Sequence, residues 1–427
     1  MILTWVFSFI ILIVLLMLTF PVAVVMGNLG FIIGWLFSPF PLYRAVGEIS
    51  WSASSDFILF CIPLFILLGQ ILVECKVAER TYKSVDKWLS WLPGGLMHAN
   101  IFTSALFAAT SGSSVATAAT IGTVALPQGK KYGYNDGLFS ASIAAGGTLG
   151  ILIPPSINLV VYGFLTNTSI VKLFIAGIVP GVLLALLFML FISTISIIRP
   201  ELSGYKHSVS WGERIKALKD LLPIVIIFLV VIGSIYMGFA TPTESAALGV
   251  ITALIIAAYY REITVKVLIK SIEGTIRTTG MIMFVIVAAN FLNFVILSLG
   301  IGDQIANTIN NLGLAPFETL LVIILMYVIM GFFIETLSIM VLTIPIVHPI
   351  ITSIGYNPIW FGIILILLIE MALITPPVGL NLYVVQGVRR RGSIGEIALW
   401  IAPFVIMIFI MIAVLIAFPN LALCLIK

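Results

Sequence analysis

Charge is what this chain has least of. Only 9% of its 427 residues are Asp, Glu, Lys or Arg, against roughly a quarter in an ordinary soluble domain. The three histidines (His98, His207, His348) form no HExxH pair, and the three cysteines (Cys61, Cys75, Cys424) fit no metal spacing. All three cysteines lie in or beside apolar stretches, where a thiol acts as a small packing group. Metal-dependent hydrolysis and redox chemistry are therefore unsupported. A membrane-embedded enzyme would need paired groups such as Asp-Asp or Ser-Lys in one cavity, and none is visible. A channel would need a continuous polar pathway, whereas the polar residues gather in two places. Met1 runs straight into an apolar stretch without a basic n-region or a small-residue cleavage site, so no separate signal peptide is expected. The net charge of +4 is small and suggests no nucleic-acid partner.

What is abundant is apolar: 61% of the residues are hydrophobic and the mean hydropathy is +1.23. An all-α polytopic membrane protein embedded in lipid is expected. Within it, the stretch GGTLGILIPPS at 146–156, running on to Asn158 and Tyr162, reads as a membrane-depth helix broken in its middle. Two successive prolines remove two backbone donors and push the preceding residue out of the helical region. In hydrocarbon each unpaired backbone group costs several kcal/mol, so such a break survives only inside protein or along a wet cavity. Its freed carbonyls can then hold a cation. The device recurs as TPPVG at 375–379, followed by Asn381 and Tyr383. Two matched breaks point to a transport site between two repeats.

Apolar segments of about 20 residues span a bilayer. Spans are expected at about 2–19, 22–36, 53–75, 172–198, 222–239, 243–260, 279–299 and 397–420. A basic amphipathic piece at 77–92 reads as a solvated or headgroup-level helix. Segments at about 97–127 and 317–350 are each cut by small or polar residues and read as re-entrant hairpins. Broken helices are expected at about 137–165 and 358–388. The chain thus divides into a membrane repeat at 1–198, a polar linker at 199–219 and a second repeat at 220–427. An offset of 222 carries Pro154 to Pro376 and Ser114 to Thr336, and one of 224 aligns FILF at 57–60 with MIMF at 281–284. With both hairpins re-entrant, the loops at 76–96, 128–136, 199–219, 261–277 and 389–396 share one side. They hold 18 of the 21 Lys and Arg residues, which makes that side cytoplasmic. Hairpin one then enters from the cytoplasm and hairpin two from the periplasm, so the repeats are inverted.

The chemistry-bearing residues cluster at the hairpin tips. SGSS at 111–114 offers hydroxyls, carbonyls and a half-helix N-terminus, with a small-residue packing face as the alternative. GFFIET at 331–336 is its counterpart, and Glu335 is an acid inside an apolar hairpin, functional by default. Glu370, ahead of the second break, invites the same reading. Glu244, after Pro242, reads as a helix-start acid favoured by the dipole. Asn158 and Asn381 either contact solute or tie down freed backbone; Asn290 and Asn293 read as interhelical hydrogen-bonders. Oxygens at helix breaks suit Na⁺ better than a proton, since a proton relay would want several buried acids or histidines.

The motifs SGSSVATAATIG, GTLGILIPPS, GFATPTESAALG and GFFIETLSIMVLTIP together resemble the large membrane subunit of tripartite ATP-independent periplasmic (TRAP) transporters, across essentially the whole chain. The resemblance implies an elevator-type member of the ion-transporter superfamily. It implies Na⁺-driven uptake of an organic acid anion (sialic acid, a C4-dicarboxylate or a sugar acid) across the bacterial inner membrane. A periplasmic binding protein (P subunit) would deliver the solute, and a separate small four-helix Q subunit would be a partner. At least two Na⁺ sites are implied: Ser111, Ser114, Gly150, Ile153 and Pro154 for the first, and Phe333, Thr336, Ala372, Thr375 and Val378 for the second. The family often has Gly at the place of Ala372 and Asp at the place of Glu335. Solute contacts fall by the same resemblance on Ser113, Ser156 and Glu335, with Asn158 and Asn381 beside them. The alternative is a standalone sodium–dicarboxylate symporter of related fold.

Overall fold

The computed structural model describes residues 20–205, 209–300 and 314–426; the span expected at 2–19 and most of the loop at 301–316 lie outside them. The first half comprises α1 (Val22–Phe37), α2 (Val46–Ser54), α3 (Cys61–Glu74), α4 (Val77–Leu89), α5 (Leu96–Ser111), α6 (Ser114–Lys131), α7 (Asp136–Thr148), α8 (Ile157–Thr166) and α9 (Ile170–Ile198). The second comprises α10 (Trp211–Tyr236), α11 (Pro242–Tyr259), α12 (Val265–Ser298), α13 (Pro316–Gly331), α14 (Thr336–Ser353), α15 (Pro358–Ile374), α16 (Leu380–Arg389), α17 (Ile394–Ala417) and α18 (Asn420–Leu423). Among the described residues seven helical segments are long and apolar enough to cross a membrane, one of them α3 together with the helical turn Phe57–Phe60 before it. Among the described residues the only β pairing is an isolated bridge between Tyr134 and Ser203.

The two repeats are visible in the helix starts. Ser114 and Thr336 open α6 and α14, and Asp136 and Pro358 open α7 and α15, each pair 222 positions apart. Residues 157 and 380 open α8 and α16; residues 170 and 394 open α9 and α17. Local chemistry sets these starts. Asn135 accepts from the Leu138 amide (2.9 Å) and Ser156 from the Leu159 amide (3.3 Å), each satisfying an orphan donor of the first turn. Capping boxes open α10 at Ser210 with Glu213 and α11 at Thr241 with Glu244. Glu244 is therefore a structural cap.

Some expected boundaries move. The polar linker is helical from Trp211 onward, because the Ser210 capping box starts α10 there. α12 begins at Val265 rather than near 279, carrying Lys266, Lys270, Glu273 and Arg277 on its first turns. Asn290 donates to the Ile286 carbonyl of its own helix (3.0 Å), not to a neighbour. One face of α4 is buried against α10, where the Trp88 indole donates to the Arg214 carbonyl (3.0 Å).

The core is built on α7 and α15, the helices that precede the two breaks. α7 is buried from Gly137 to Thr148 and α15 from Trp360 to Ile374. α5 and α6 pack on α7, and α13 and α14 on α15. Each hairpin is thereby seated on its own repeat's broken helix. Across the repeats, α1 and α3 pack against α12.

Candidate functional site

The first tip is held by close backbone approach. Gly112, at φ +59°, ends α5 in the left-handed region that favours glycine. A Cβ there would stand 3.1 Å from the Pro155 carbonyl oxygen. One at Gly150 would stand 2.9 Å from the Ser113 carbonyl, and one at Gly69 3.0 Å from the Ser111 Cα. Only glycines let the tip reach the break. The Ser114 hydroxyl donates to the Thr148 carbonyl at 3.2 Å, and Ser111 shares a hydrogen bond with Thr117 at 2.9 Å. Ser113 caps α6 through the Ala116 amide (3.4 Å). Ile153 and Pro154 continue the same buried break.

The second tip is organised by a carboxylate. Glu335 caps α14, accepting from the Leu337 and Ser338 amides (both 3.1 Å) and from the hydroxyls of Thr336 (3.0 Å) and Ser338 (2.8 Å). A carboxylate at a helix N-terminus is favoured by the dipole. A Cβ at Gly331 would stand 2.8 Å from the Ala372 Cβ, which marks where this hairpin seats on α15. Thr375 donates to the Met371 carbonyl (2.6 Å), Val378 is half-buried and the Phe333 ring is 71% exposed.

Both tips open into one cavity of about 700 Å³. Ser111, Ser113, Ser114, Asn158, Glu335 and Thr336 line it; Ser156, Asn381, Gly150, Ile153, Pro154, Phe333, Ala372, Thr375 and Val378 do not. Ser156 instead caps α8, and the buried Asn381 amide donates to the Ala144 carbonyl (3.2 Å). Ser156 also donates to the Ile151 carbonyl of the first break, whereas Asn381 joins the second break to the body of α7. The first residues of five helices line the cavity: Val22, Ser114, Ile157, Thr336 and Leu380. Five partial positive charges therefore converge there. Among the lining residues Glu335 alone is ionisable. No group of three or more His, Cys, Asp or Glu that could hold a metal occurs among the described residues. Donors here are instead hydroxyls and carbonyls, the hard-oxygen set that suits a small hard cation. Sequence reasoning passed over Gly69, which nothing local distinguishes, and Ser338, whose place three residues after Glu335 is a capping signal.

Inverted repeats, hairpins seated on broken helices, and a largely apolar cavity that gathers the tip hydroxyls and one acid define a membrane permease. The particular family follows from comparison. Residues 9–421 match the description "Tripartite ATP-independent periplasmic transporter, DctM component". The chain is 35% identical over 394 residues to the C4-dicarboxylate TRAP transporter large permease protein DctM of Pseudomonas aeruginosa, covering 90% of this chain and 91% of that one. It is 30% identical over 375 residues to the sialic acid TRAP transporter large permease protein SiaM of Vibrio cholerae, covering 87% and 86%. It is 33% identical to the isethionate TRAP transporter permease protein DctMQ of Oleidesulfovibrio alaskensis, matching 87% of this chain and 58% of that longer one. The crystal structure of the Alcanivorax borkumensis YdaH transporter shares the fold, with a TM-score of 0.64 over 94% of this chain and 98% of that one at 14% identity. The chain belongs to the DctM family of TRAP large permease subunits. It is a multi-pass inner-membrane protein and a transporter component, not an enzyme.

Proposed function

We propose that this permease carries an organic acid anion into the cell in symport with Na⁺, by an elevator-type movement of the hairpins and broken helices against the remaining helices. One observation carries the reading. The cavity offers a solute no cationic side chain, and its single ionisable lining residue is the acid Glu335. A carboxylate solute entering alone would meet only helix N-termini and an unfavourable charge. Bound Na⁺ supplies what is lacking, held at the first tip by Ser111, Ser114, Gly150, Ile153 and Pro154 and at the second by Phe333, Thr336, Ala372, Thr375 and Val378. Sodium then binds before solute, and the solute in turn tightens sodium, typically by 1–3 kcal/mol for such coupling. Ser113 and Asn158, on the cavity wall, are the side chains placed to read the solute, with Glu335 ordering the second tip.

The names of the relatives support a C4-dicarboxylate, sialic acid or comparable organic acid as the solute class. They also favour a tripartite system over a standalone symporter. A small Q subunit and a periplasmic binding protein are the proposed partners, and the DctMQ relative carries in its name the fusion of the first to a large permease. Proteoliposomes holding the permease and its small subunit test the reading with radiolabelled solute bound to the binding protein. Uptake is expected with an inward Na⁺ gradient and to stop when K⁺ replaces Na⁺ or the binding protein is omitted. Full uptake driven by a pH gradient in sodium-free buffer would refute sodium coupling, and full uptake of free solute would refute the tripartite part.

A further inference from the structure

A second cavity, of about 540 Å³, opens between the ends of α6 and α16, away from the two tips. Lys130, Arg389, Arg390 and Arg391 line it together with apolar Leu126 and Val388. The cations are not equivalent. Arg389 is buried and held by Asp136 (2.8 Å) and by Glu396, and Arg391 grips the same Asp136 with two nitrogens (2.6 and 3.0 Å). Lys130 and Arg390 are exposed and pair with no carboxylate among the described residues. The turn that presents them is ordered: Arg390 sits at φ +52° as the cap of α16, and the Gln386 amide donates to the Arg391 and Gly392 carbonyls (3.2 and 3.0 Å). Two unpaired cations on a fixed rim above an apolar wall make an amphipathic anion site. By the distribution of Lys and Arg this rim lies at the cytoplasmic boundary of the bilayer, where basic pockets between helices meet lipid phosphates.

We propose that this cavity binds the phosphate of an anionic phospholipid headgroup, with Lys130 and Arg390 as its charged ligands and the Leu126 and Val388 wall against the start of the acyl chains. The site is independent of the sodium-coupled reading, because binding is measured without transport. Delipidated full-length protein in neutral detergent is titrated with phosphatidylglycerol, phosphatidylcholine, inorganic phosphate and glycerol 3-phosphate, and bound molecules are counted by native mass spectrometry. Phosphatidylglycerol is expected to bind in preference to phosphatidylcholine. Each neutralised cation near a membrane surface weakens such binding about fivefold, so Lys130→Gln with Arg390→Gln should cost about 25-fold. Both side chains are exposed and outside the Asp136 network, and an unchanged thermal melt checks that the double variant folds. If the soluble phosphates bind as tightly as the lipid and are lost equally in the variant, the site takes free phosphate and the lipid assignment falls. Equal binding of the two lipids, or undiminished phosphatidylglycerol binding in the double variant, overturns the proposal.

Discussion

The two hairpin tips occupy equivalent places in the two repeats and are held by opposite means. Tip one is a glycine–serine turn pressed backbone to backbone on a break in which Pro154 and Pro155 are fully buried. Tip two is a wider turn organised by one carboxylate, beside a break in which Pro376 and Pro377 are exposed. A broken helix at membrane depth must be covered by protein or face water. The first break is covered within this chain; the second faces water or a surface that another component supplies. The repeats thus share helix starts and topology but not the tightness of the seat. That asymmetry is what a protein needs if one side of a symmetric site is to open while the other stays closed.

Glycine substitutions break the comparison hardest. Gly150→Ala puts a methyl 2.9 Å from the Ser113 backbone, so the tip itself must retreat. Displacing a binding element by about 1 Å costs on the order of 100-fold in rate, and uptake should fall by that much. Gly331→Ala also collides, but with the Ala372 methyl. The double variant Gly331→Ala with Ala372→Gly should therefore recover most of the uptake, whereas no single side-chain trim relieves Gly150→Ala. A Cβ at Gly27 meets nothing within 4 Å, so Gly27→Ala is the control. Equal losses from Gly27→Ala and Gly150→Ala would show that the first seat is not tight.

Hydroxyl removal at the tips should act more mildly and on sodium. Ser114→Ala and Thr336→Ala each delete one oxygen from a proposed cation set. A loss of about 1–2 kcal/mol raises the sodium concentration for half-maximal uptake roughly 5–30-fold, with expression and thermal stability near the parent. Ser113→Ala should raise the solute requirement more than the sodium requirement. Uptake against Na⁺ concentration separates these outcomes. Parental sodium dependence in both ligand variants would reduce the tips to packing motifs.

Much of this architecture could be read from composition and spacing, for a physical reason. Lipid tolerates neither unpaired backbone nor stray charge, so every Pro-Pro break, serine cluster and intramembrane acid stands out against an apolar background. What could not be read depends on contacts between distant segments. Asn381 sits one helix turn past a break and looks like a solute ligand; its amide donates to the Ala144 carbonyl 237 positions away, while its side-chain oxygen is buried with no hydrogen bond among the described residues. Ser156 carries no mark that separates a cap from a binding hydroxyl. Glu335 follows a tip and reads as a binding acid, but its oxygens take four donors of its own turn. Glu370 is buried beside Thr148 of α7, with no well-formed hydrogen bond to either carboxylate oxygen among the described residues, a placement its apolar neighbours in sequence do not announce. The helix start inside the polar linker is hidden for a simpler reason: its charged residues mask a capping box at Ser210 with Glu213, from which α10 begins.

The smallest expected effect concerns the ends of the broken helices rather than the tips. Asp136 opens α7, which leads into break one, while Arg389 closes α16, which leads out of break two. Their ion pair, with Arg391 added, joins the two unlike breaks at one end. Partial burial works against the Asp136 charge, but the Arg391 and Arg389 guanidiniums outweigh it and hold the carboxyl below its ordinary value. A carboxylate with a depressed pKa stabilises the folded state above its unfolded value, near 3.9, and that contribution is lost as pH falls through the folded value. Charged hydrogen bonds contribute about 1.5–3 kcal/mol each, and solvent screening of a carboxylate that is 33% exposed reduces this to about 1–2 kcal/mol. Asp136→Asn should therefore lower the melting temperature of the detergent-solubilised protein by a few degrees at pH 7. The gap between variant and parent should close as the pH drops below about 4, because the parent loses the same charge. A gap that stays constant from pH 7 to pH 3 would mean that the carboxamide disturbs packing rather than charge, and that the two breaks are not joined through this ion pair.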